Sequence, residues 1–541
     1  MSVVARPGAM QPYALTLNRF IDHAAKWHGA TEVVTGGGES ASSRIGYAGL
    51  RERSARLSGA LAALGLVKGD NLGILAWNSQ AHMECWYGAV GIGIVCHTLN
   101  PRLSPVHLAE MIRQAGNRVL AISPDQAGLA AHLAALCPSI GDIVILDEPG
   151  CAPPPPLDGN VRTWRYEDLL ATLGAPLPWG GIEEEAPAGL CFTSGTTGPP
   201  KGVTYTHRSN YLHTLHQLLA DSSGLGAGDS LLVAVPMFHA NGWGFPFSAP
   251  AVGAKMVLPG RHQDGASLAR LIREEQVTIA AGVPTVWLGL VDELDRTGGD
   301  VPSLQRVMIG GSAVPQMLMD RLERRLGAIV QTSWGMTELS PLGTTTPTTA
   351  PLRSAARSGR PPIGVDLALM GPEGQPLAEQ RGLQGRLHVR GASVVQRYFG
   401  EDRPAVNAEG WFDTGDLAVI DEDGTICITG RAKDLIKSGG EWINPGEIEA
   451  IVGALPGVAQ VAVIGRSDAK WGERPVLVVE PLKGAAVTDE ALLGSLRGRV
   501  ANWWLPDAVI RVDTMPLAAT GKIDKTRLRL DHGQERRDDA A

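Results

Sequence analysis

Ten consecutive residues, Thr193-Ser194-Gly195-Thr196-Thr197-Gly198-Pro199-Pro200-Lys201-Gly202, carry the groups needed to hold a polyphosphate. The glycines let main chain approach an anion closely, the N–H groups and hydroxyls donate hydrogen bonds, and Lys201 adds a compact positive charge. The spacing is not GxxxxGK[ST], so a Walker-type phosphate loop is excluded. On generic chemistry alone, a Gly/Ser/Thr-rich string of this kind is also a surface turn.

Further chemistry-bearing groups follow in order. They are Gly310-Gly311-Ser312, Trp334-Gly335-Met336-Thr337-Glu338, Thr414-Gly415-Asp416, Gly430-Arg431-Ala432-Lys433-Asp434, Lys437-Ser438-Gly439-Gly440-Glu441-Trp442 and Thr520-Gly521-Lys522. Each has a plain reading when taken alone: Glu338 as a solvated loop carboxylate, GGS and TGD as turns, Trp334 as core, and Lys433, Lys522 and Lys525 as surface lysines. An imidazole and an indole, His239 and Trp243, share the glycine-bearing segment 236–244. A lone histidine is more often a structural hydrogen-bonding group, and a lone tryptophan is often core.

These groups need a scaffold, and the pattern between them supplies one. Short apolar runs ended by Gly, Pro or Asn (71–77, 119–124, 142–148, 230–236, 307–312) read as buried strands. The apolar AGLCF run before Thr193 reads the same way. Between the strands lie amphipathic stretches such as 50–65 and 265–277. The alternation predicts α/β layers built on mostly parallel sheet. From Gly385 the texture turns antiparallel, with a hairpin around Asp421-Glu422-Asp423-Gly424. After Arg431 comes a small α+β unit, in which 489–504 reads as one helix. The expected organisation is a large N-terminal domain, 1–431, of layered α/β subdomains plus a small β-rich subdomain, then a small mobile C-terminal domain, 432–541. Residues 151–160, CAPPPPLDGN, read as a surface linker.

Composition narrows the function. At 541 residues the chain exceeds one core's reach. A formal charge of -8 and the lack of a dense basic patch argue against nucleic acid or an anionic membrane surface as partner. The six cysteines are scattered singly, without a CxxC pair, as in a reduced, cytoplasmic protein. No apolar run reaches membrane-spanning length.

As a set, the ordered motifs resemble the adenylate-forming superfamily of acyl-CoA synthetases, luciferases and peptide-synthetase adenylation domains, over roughly Tyr47 to Leu530. The resemblance implies two half-reactions: a carboxylate attacks the α-phosphate of ATP to give acyl-AMP and pyrophosphate, and a thiol then takes the acyl group. It places the nucleotide at Thr193, Ser194, Gly195, Thr196, Thr197, Gly198, Lys201, Gly311, Ser312, Trp334, Gly335, Met336, Thr337, Asp416, Arg431 and Lys437. Thr196 and Glu338 would lie at Mg2+, and Asp416 would accept from the ribose hydroxyls. Lys522 would reach the carboxylate and α-phosphate, with His239 beside the acid. His239, Trp243, Val283 and Trp287 would border the acyl group, Trp243 in the manner of a gate. Lys433 would be the hinge, and Ser438, Gly439, Gly440, Glu441 and Trp442 would approach CoA. Trp334 stands where many relatives carry tyrosine.

The WGMTE and KSGGEWI variants look most like medium/long-chain fatty acyl-CoA ligases and methylthiopropionyl-CoA ligases. The expected activity is therefore an AMP-forming acyl-CoA ligase for a hydrophobic acid, with ATP and CoA as co-substrates and a homodimer as one assembly. Two alternatives stand beside it: an acyl-AMP ligase that loads a carrier protein, and an inactive adenylate-binding protein. Acceptor dependence discriminates the first. Retention of Lys201, Glu338, Asp416 and Lys522 speaks against the second.

Overall fold

The structure, a computed structural model, describes residues 10–151, 154, 161–193, 200–518 and 522–534. Two sheets dominate the first part of the chain. In the seven-stranded sheet the order is Arg162–Arg165, Asp142–Ile145, Val119–Ile122, Asn71–Leu75, Val95–Thr98, Pro187–Phe192 and Gly202–Thr206, parallel except for the last pair. The eight-stranded sheet runs Leu342–Thr345, Ile329–Gly335, Arg306–Ile309, Ile279–Gly282, Ser230–Val233, Lys255–Leu258, Glu32–Gly37 and Ser40–Gly46, with antiparallel strands only at its two edges. Strands buried on both faces explain the unbroken apolar runs in the sequence.

The faces of the two sheets divide the core. Leu72, Ile74, Leu231, Val233 and Ile279 point into one core shared by both sheets, together with the helices Asn18–Trp27, Tyr47–Ala63 and Gln80–Val90. Their neighbours Leu232, Ala280, Val307 and Ile309 point the other way, toward the helices Gly265–Glu274, Pro284–Thr297 and Gln316–Leu326. Leu75, Leu120 and Ile122 do the same on the seven-stranded sheet, against Pro105–Ala115 and Ala127–Leu136. The period of two along each strand thus builds five layers, helix, sheet, helix, sheet, helix.

A four-stranded antiparallel sheet follows, Val365–Met370, Gln384–Gly391, Phe412–Ile420 and Ile426–Arg431. It begins some twenty residues before the expected Gly385, because Val365–Met370 pairs with Gln384–Gly391 across a connection that opens with the turn 371–374, where the Gly374 N–H donates to the Gly371 carbonyl at 3.0 Å. A five-stranded sheet, including Ile436–Ser438, Glu441–Ile443, Val458–Asp468, Gly472–Pro481 and Ala508–Arg511, forms the last unit with the helices Pro445–Gly453, Asp489–Gly494 and Lys525–His532. The single helix expected over 489–504 is instead a short helix ending at Gly494, followed by a separate turn at Asn502–Trp504. Gly498 adopts a left-handed φ of 72° between them, which a continuing right-handed helix forbids. The linker expected at 151–160 lies almost wholly outside the described residues.

Candidate active site

Main-chain pairing sets the feet of the phosphate loop. The strands Pro187–Phe192 and Gly202–Thr206 form a hairpin, and the Thr193 N–H donates to the Lys201 carbonyl at 2.9 Å. Ser194, Gly195, Thr196, Thr197 and Gly198 lie outside the described residues.

The strand Ile329–Gly335, next to the edge of the eight-stranded sheet, ends in the segment that carries Glu338. Glu338 is 8% exposed, and its Oε1 accepts from the Tyr398 hydroxyl at 3.0 Å. Burial raises its pKa, opposed by a hydrogen bond from its own main chain, by the Tyr398 hydroxyl and by the charges of Arg431 and Lys201. A buried carboxylate biased toward its neutral acid invites a further cation.

Asp416, on the strand Phe412–Ile420, is only 2% exposed. Arg431 Nε stands 2.6 Å from Oδ1, and the Trp334 indole N–H donates to Oδ2 at 2.8 Å. Burial raises the Asp416 pKa, and Arg431 and Trp334 pull it back. Each carboxylate oxygen keeps a second lone pair, so the two oxygens can still take two vicinal hydroxyls. Trp334 packs against Gly343 and is nearly buried, so its aromatic body is partly core, as the plain reading held, while its N–H serves Asp416.

Lys522 belongs to the last unit, in a loop closed by the Ala518 N–H donating to the Lys522 carbonyl at 2.7 Å. Its ammonium feels the charges of Arg431, Asp416, Glu338 and Lys433. The side chain is exposed to solvent. Desolvation, followed by the charge of Arg431, lowers its pKa, a bias that its exposure to water weakens. His239 feels the same ammonium, and its pKa falls to about 4, first through burial and then through Lys522, so the ring is neutral at ordinary pH.

Ala240, Asn241, Gly242, Trp243 and Gly244 all take left-handed φ angles, from 44° to 80°. Such a turn costs an L-residue about 1–2 kcal/mol and persists only where the surroundings impose it. Gln217 Nε2 donates to the Trp243 carbonyl at 2.8 Å, and a Cβ at Gly244 would sit 2.7 Å from His213 Cε1. The turn delivers the Trp243 ring to the end of the strand Arg306–Ile309: Cβ atoms on Gly310 and Gly311 would lie 3.4 and 3.7 Å from it, and Val283 Cγ1 would lie 3.4 Å from the second. Trp243 and Val283 therefore meet over Gly310-Gly311, next to Ser312. Trp287 does not join them. It is fully buried in the core on the far side of the eight-stranded sheet, against Gly282, which corrects its expected place in the acyl pocket. Val283 is the extended residue that precedes the helix Pro284–Thr297, so its side chain stands outside the helical register that carries Trp287 into that core.

The hairpin of Ile436–Ser438 and Glu441–Ile443 places Lys437, Ser438, Gly439, Gly440, Glu441 and Trp442 together. Ser438 is buried under Arg474, whose Nη1 donates to its Oγ at 3.1 Å, while Lys437, Glu441 and Trp442 face solvent. Lys433 lies between the four- and five-stranded sheets. Lys525 is not the solvated lysine its position suggests: its Nζ lies 2.6 Å from Glu449 Oε1 and its side chain is four-fifths buried. Sequence reasoning passed over Tyr398 entirely, because RYFG carries no motif of its own. Among the described residues no group of three His, Cys, Asp or Glu forms a metal cage.

The model of the AMP-binding enzyme matches residues 20–399, and that of the AMP-binding enzyme C-terminal domain matches 447–522. The chain belongs to the AMP-binding enzyme family. Its class is the AMP-forming acid–thiol ligases, and its activity that of an acyl-CoA ligase. It is 39% identical to a medium-chain-fatty-acid–CoA ligase of Ectopseudomonas oleovorans, covering 97% of each chain. It is equally 39% identical to a 3-methylmercaptopropionyl-CoA ligase of Ruegeria lacuscaerulensis, covering 96% of this chain and 98% of that one. ATP-bound MatB from Rhodopseudomonas palustris superimposes with a TM-score of 0.82 at 25% identity, covering 96% of this chain and 99% of that one.

Proposed function

We propose that the chain condenses a hydrophobic carboxylic acid, of the medium/long-chain fatty or thioether type, with ATP to acyl-AMP and passes the acyl group to CoA. The observation that carries this reading is the convergence of Lys522, from the last unit, on Asp416, Glu338 and Arg431 with His239 alongside. The named substrates of the 39% identical relatives, a medium-chain fatty acid and 3-methylmercaptopropionate, support the acid class.

Asp416, oriented by Arg431 and Trp334, accepts the ribose hydroxyls and fixes the nucleotide. The phosphate loop with Lys201 takes the leaving pyrophosphate, and the Lys522 ammonium bridges the acid's carboxylate and the α-phosphate, where charge builds as the new bond forms. Neutral His239 and Trp243 border the acid; no acidic side chain stands in segments 236–244 or 283–287 to receive an amino-acid ammonium. The residues fit Mg2+: a buried carboxylate at Glu338, with no protein-built cage around it among the described residues, suits an ion held chiefly by nucleotide phosphates. Glu338 and Thr196 would hold it, and when bound it neutralises phosphate charge.

For thioester formation the unit 432–541 turns about Lys433 and exchanges the Lys522 loop for the Lys437–Trp442 hairpin, whose glycines admit the pantetheine chain. The solvent-facing hairpin, opposite in role to a Lys522 already at the cluster, supports such an exchange. Six cysteines without a disulfide among them support a cytoplasmic setting. Among the described residues no helix is long and apolar enough to cross a membrane.

The test is ATP-dependent AMP release with purified protein over straight, branched, thioether and aryl acids of graded length, with CoA, carrier protein or no thiol as acceptor. Turnover requiring CoA and favouring apolar acids is the expected result. Equal turnover with an amino acid, or with a carrier protein in place of CoA, overturns the reading.

A further inference from the structure

We propose that Tyr398 is a positioning residue that ties the phosphate-loop lysine to the carboxylate at the metal position, an assignment that rests on the reading of Glu338 as the Mg2+ ligand. The segment around it is laced to both partners by main chain. The Phe399 N–H donates to the Gly202 carbonyl at 2.7 Å, next to Lys201, and the Phe399 ring meets Phe192 at 6.3 Å between centroids. At its other end the Val395 N–H donates to the Glu338 carbonyl at 2.8 Å, and Ser340 Oγ donates to the Ser393 carbonyl at 2.9 Å. Tyr398 is thereby held between them with both functional ends in use. Its hydroxyl donates to Glu338 Oε1 at 3.0 Å, and the Lys201 ammonium lies 4.8 Å from its ring centroid.

The chemistry of a phenol suits this double duty better than a charged side chain would. A phenol is neutral across the ordinary pH range, so it serves as a neutral donor. A neutral donor takes one lone pair and fixes the carboxylate's orientation while leaving its negative charge for a cation; an arginine or lysine there would compete with that cation. The ring face likewise attracts the Lys201 ammonium without supplying an acid that would compete with phosphate. Tyr398 thus orients two oppositely charged groups and neutralises neither.

The experiment is calorimetric ATP binding to the full chain, at graded Mg2+ and in EDTA, for Tyr398→Phe, Tyr398→Leu and Glu338→Gln, after thermal melts have confirmed folding. Tyr398→Phe keeps the ring and loses the hydroxyl. It should raise the Mg2+ concentration needed for half-maximal ATP affinity about tenfold, the scale of one hydrogen bond to a charged group, and leave binding in EDTA unchanged. Tyr398→Leu should add about a threefold loss in EDTA as Lys201 loses its seat. In the Glu338→Gln background, Tyr398→Phe should have no further effect on the Mg2+ requirement. If Glu338→Gln shifts the requirement and Tyr398→Phe does not, the positioning role is wrong and the metal reading stands. If neither shifts it, the metal reading fails and this proposal with it. Equal weakening by Tyr398→Phe with and without Mg2+ would mark Tyr398 as merely structural and overturn the proposal.

Discussion

Replacing Trp334 by phenylalanine removes the indole N–H together with part of a nearly buried ring, so with thermal melts to account for the lost packing it probes how the nucleotide is gripped. The indole donates to Asp416 Oδ2 at 2.8 Å, and the carboxylate has Arg431 as its second partner on Oδ1. A hydrogen bond to a charged group is worth about 1.5–3 kcal/mol. Asp416 is nearly buried, so water replaces little of the loss in the folded protein. Arg431 is substantially exposed and holds only one oxygen, so it cannot by itself stop the carboxylate from rotating. About 1.5 kcal/mol of the hydrogen bond should then appear in nucleotide binding, a rise of roughly tenfold in the Kd for ATP. Titration calorimetry of Trp334→Phe, Asp416→Asn and the double variant checks this. A coupling of at least about 1 kcal/mol between the two sites is expected, and strict additivity would refute the idea that Trp334 works through Asp416. Tyrosine at 334 places a donor at a different reach; recovery of affinity by Trp334→Tyr would show that any aromatic donor suffices.

Three other outcomes are expected. Lys522→Ala should slow acyl-AMP formation by about two to three orders of magnitude, the scale of one preorganised electrostatic contact, while thioester formation from supplied acyl-AMP is much less affected; equal loss in both half-reactions sinks the role given to Lys522. Trp243→Ala should change the Michaelis constant or chain-length preference across an acid panel, and identical kinetics with every acid would remove Trp243 from the acid's path. Stability should fall on acidification: burial lowers the pKa of His82, His97 and His207 to about 4 from an ordinary 6.5. Unfolded imidazoles bind protons below about pH 6.5 and the folded ones do not until about pH 4, so stability is flat above that window and lost as pH falls through it. Thermal melts from pH 8 to 4 check this, and His97→Gln should blunt the slope.

The motifs and their order were legible because chemistry constrains residue type and spacing together: a phosphate loop needs its glycines, and Lys522 needs its flanking turn. Buried strands were legible for a similar reason, since Leu231-Leu232-Val233 must be apolar on both faces of its sheet. What escaped was pairwise and long-range. Nothing near Trp334 says that its indole will meet a carboxylate 82 positions on, and nothing in RYFG says that a tyrosine will reach Glu338. Lys525 reads as a surface lysine until the helix Pro445–Gly453 presents Glu449 to it. Trp287 looked like a pocket wall from its nearness to Val283, but Val283 ends the extended main chain before the helix while Trp287 lies within it and packs into the far core. Glycines at 494 and 498 were there to be read as breakers, and the apolar periodicity around them outweighed them.

In the proposed reading, where Trp243 borders the acid, the left-handed run from Ala240 to Gly244 limits how a new acid preference can arise. A residue branched at Cβ cannot follow that main-chain path without clashing, so valine, isoleucine and threonine are barred from 240, 241 and 243 whatever the shape of the acid. Point changes at those three positions are thus confined to a short menu of unbranched residues. Specificity is freer to drift on the facing side, at Val283 and along the helix His207–Leu218 that supports the run. Grafting the loop from a relative should succeed only when all five residues and the supporting Gln217 move together, because the handedness belongs to the segment and not to any single side chain.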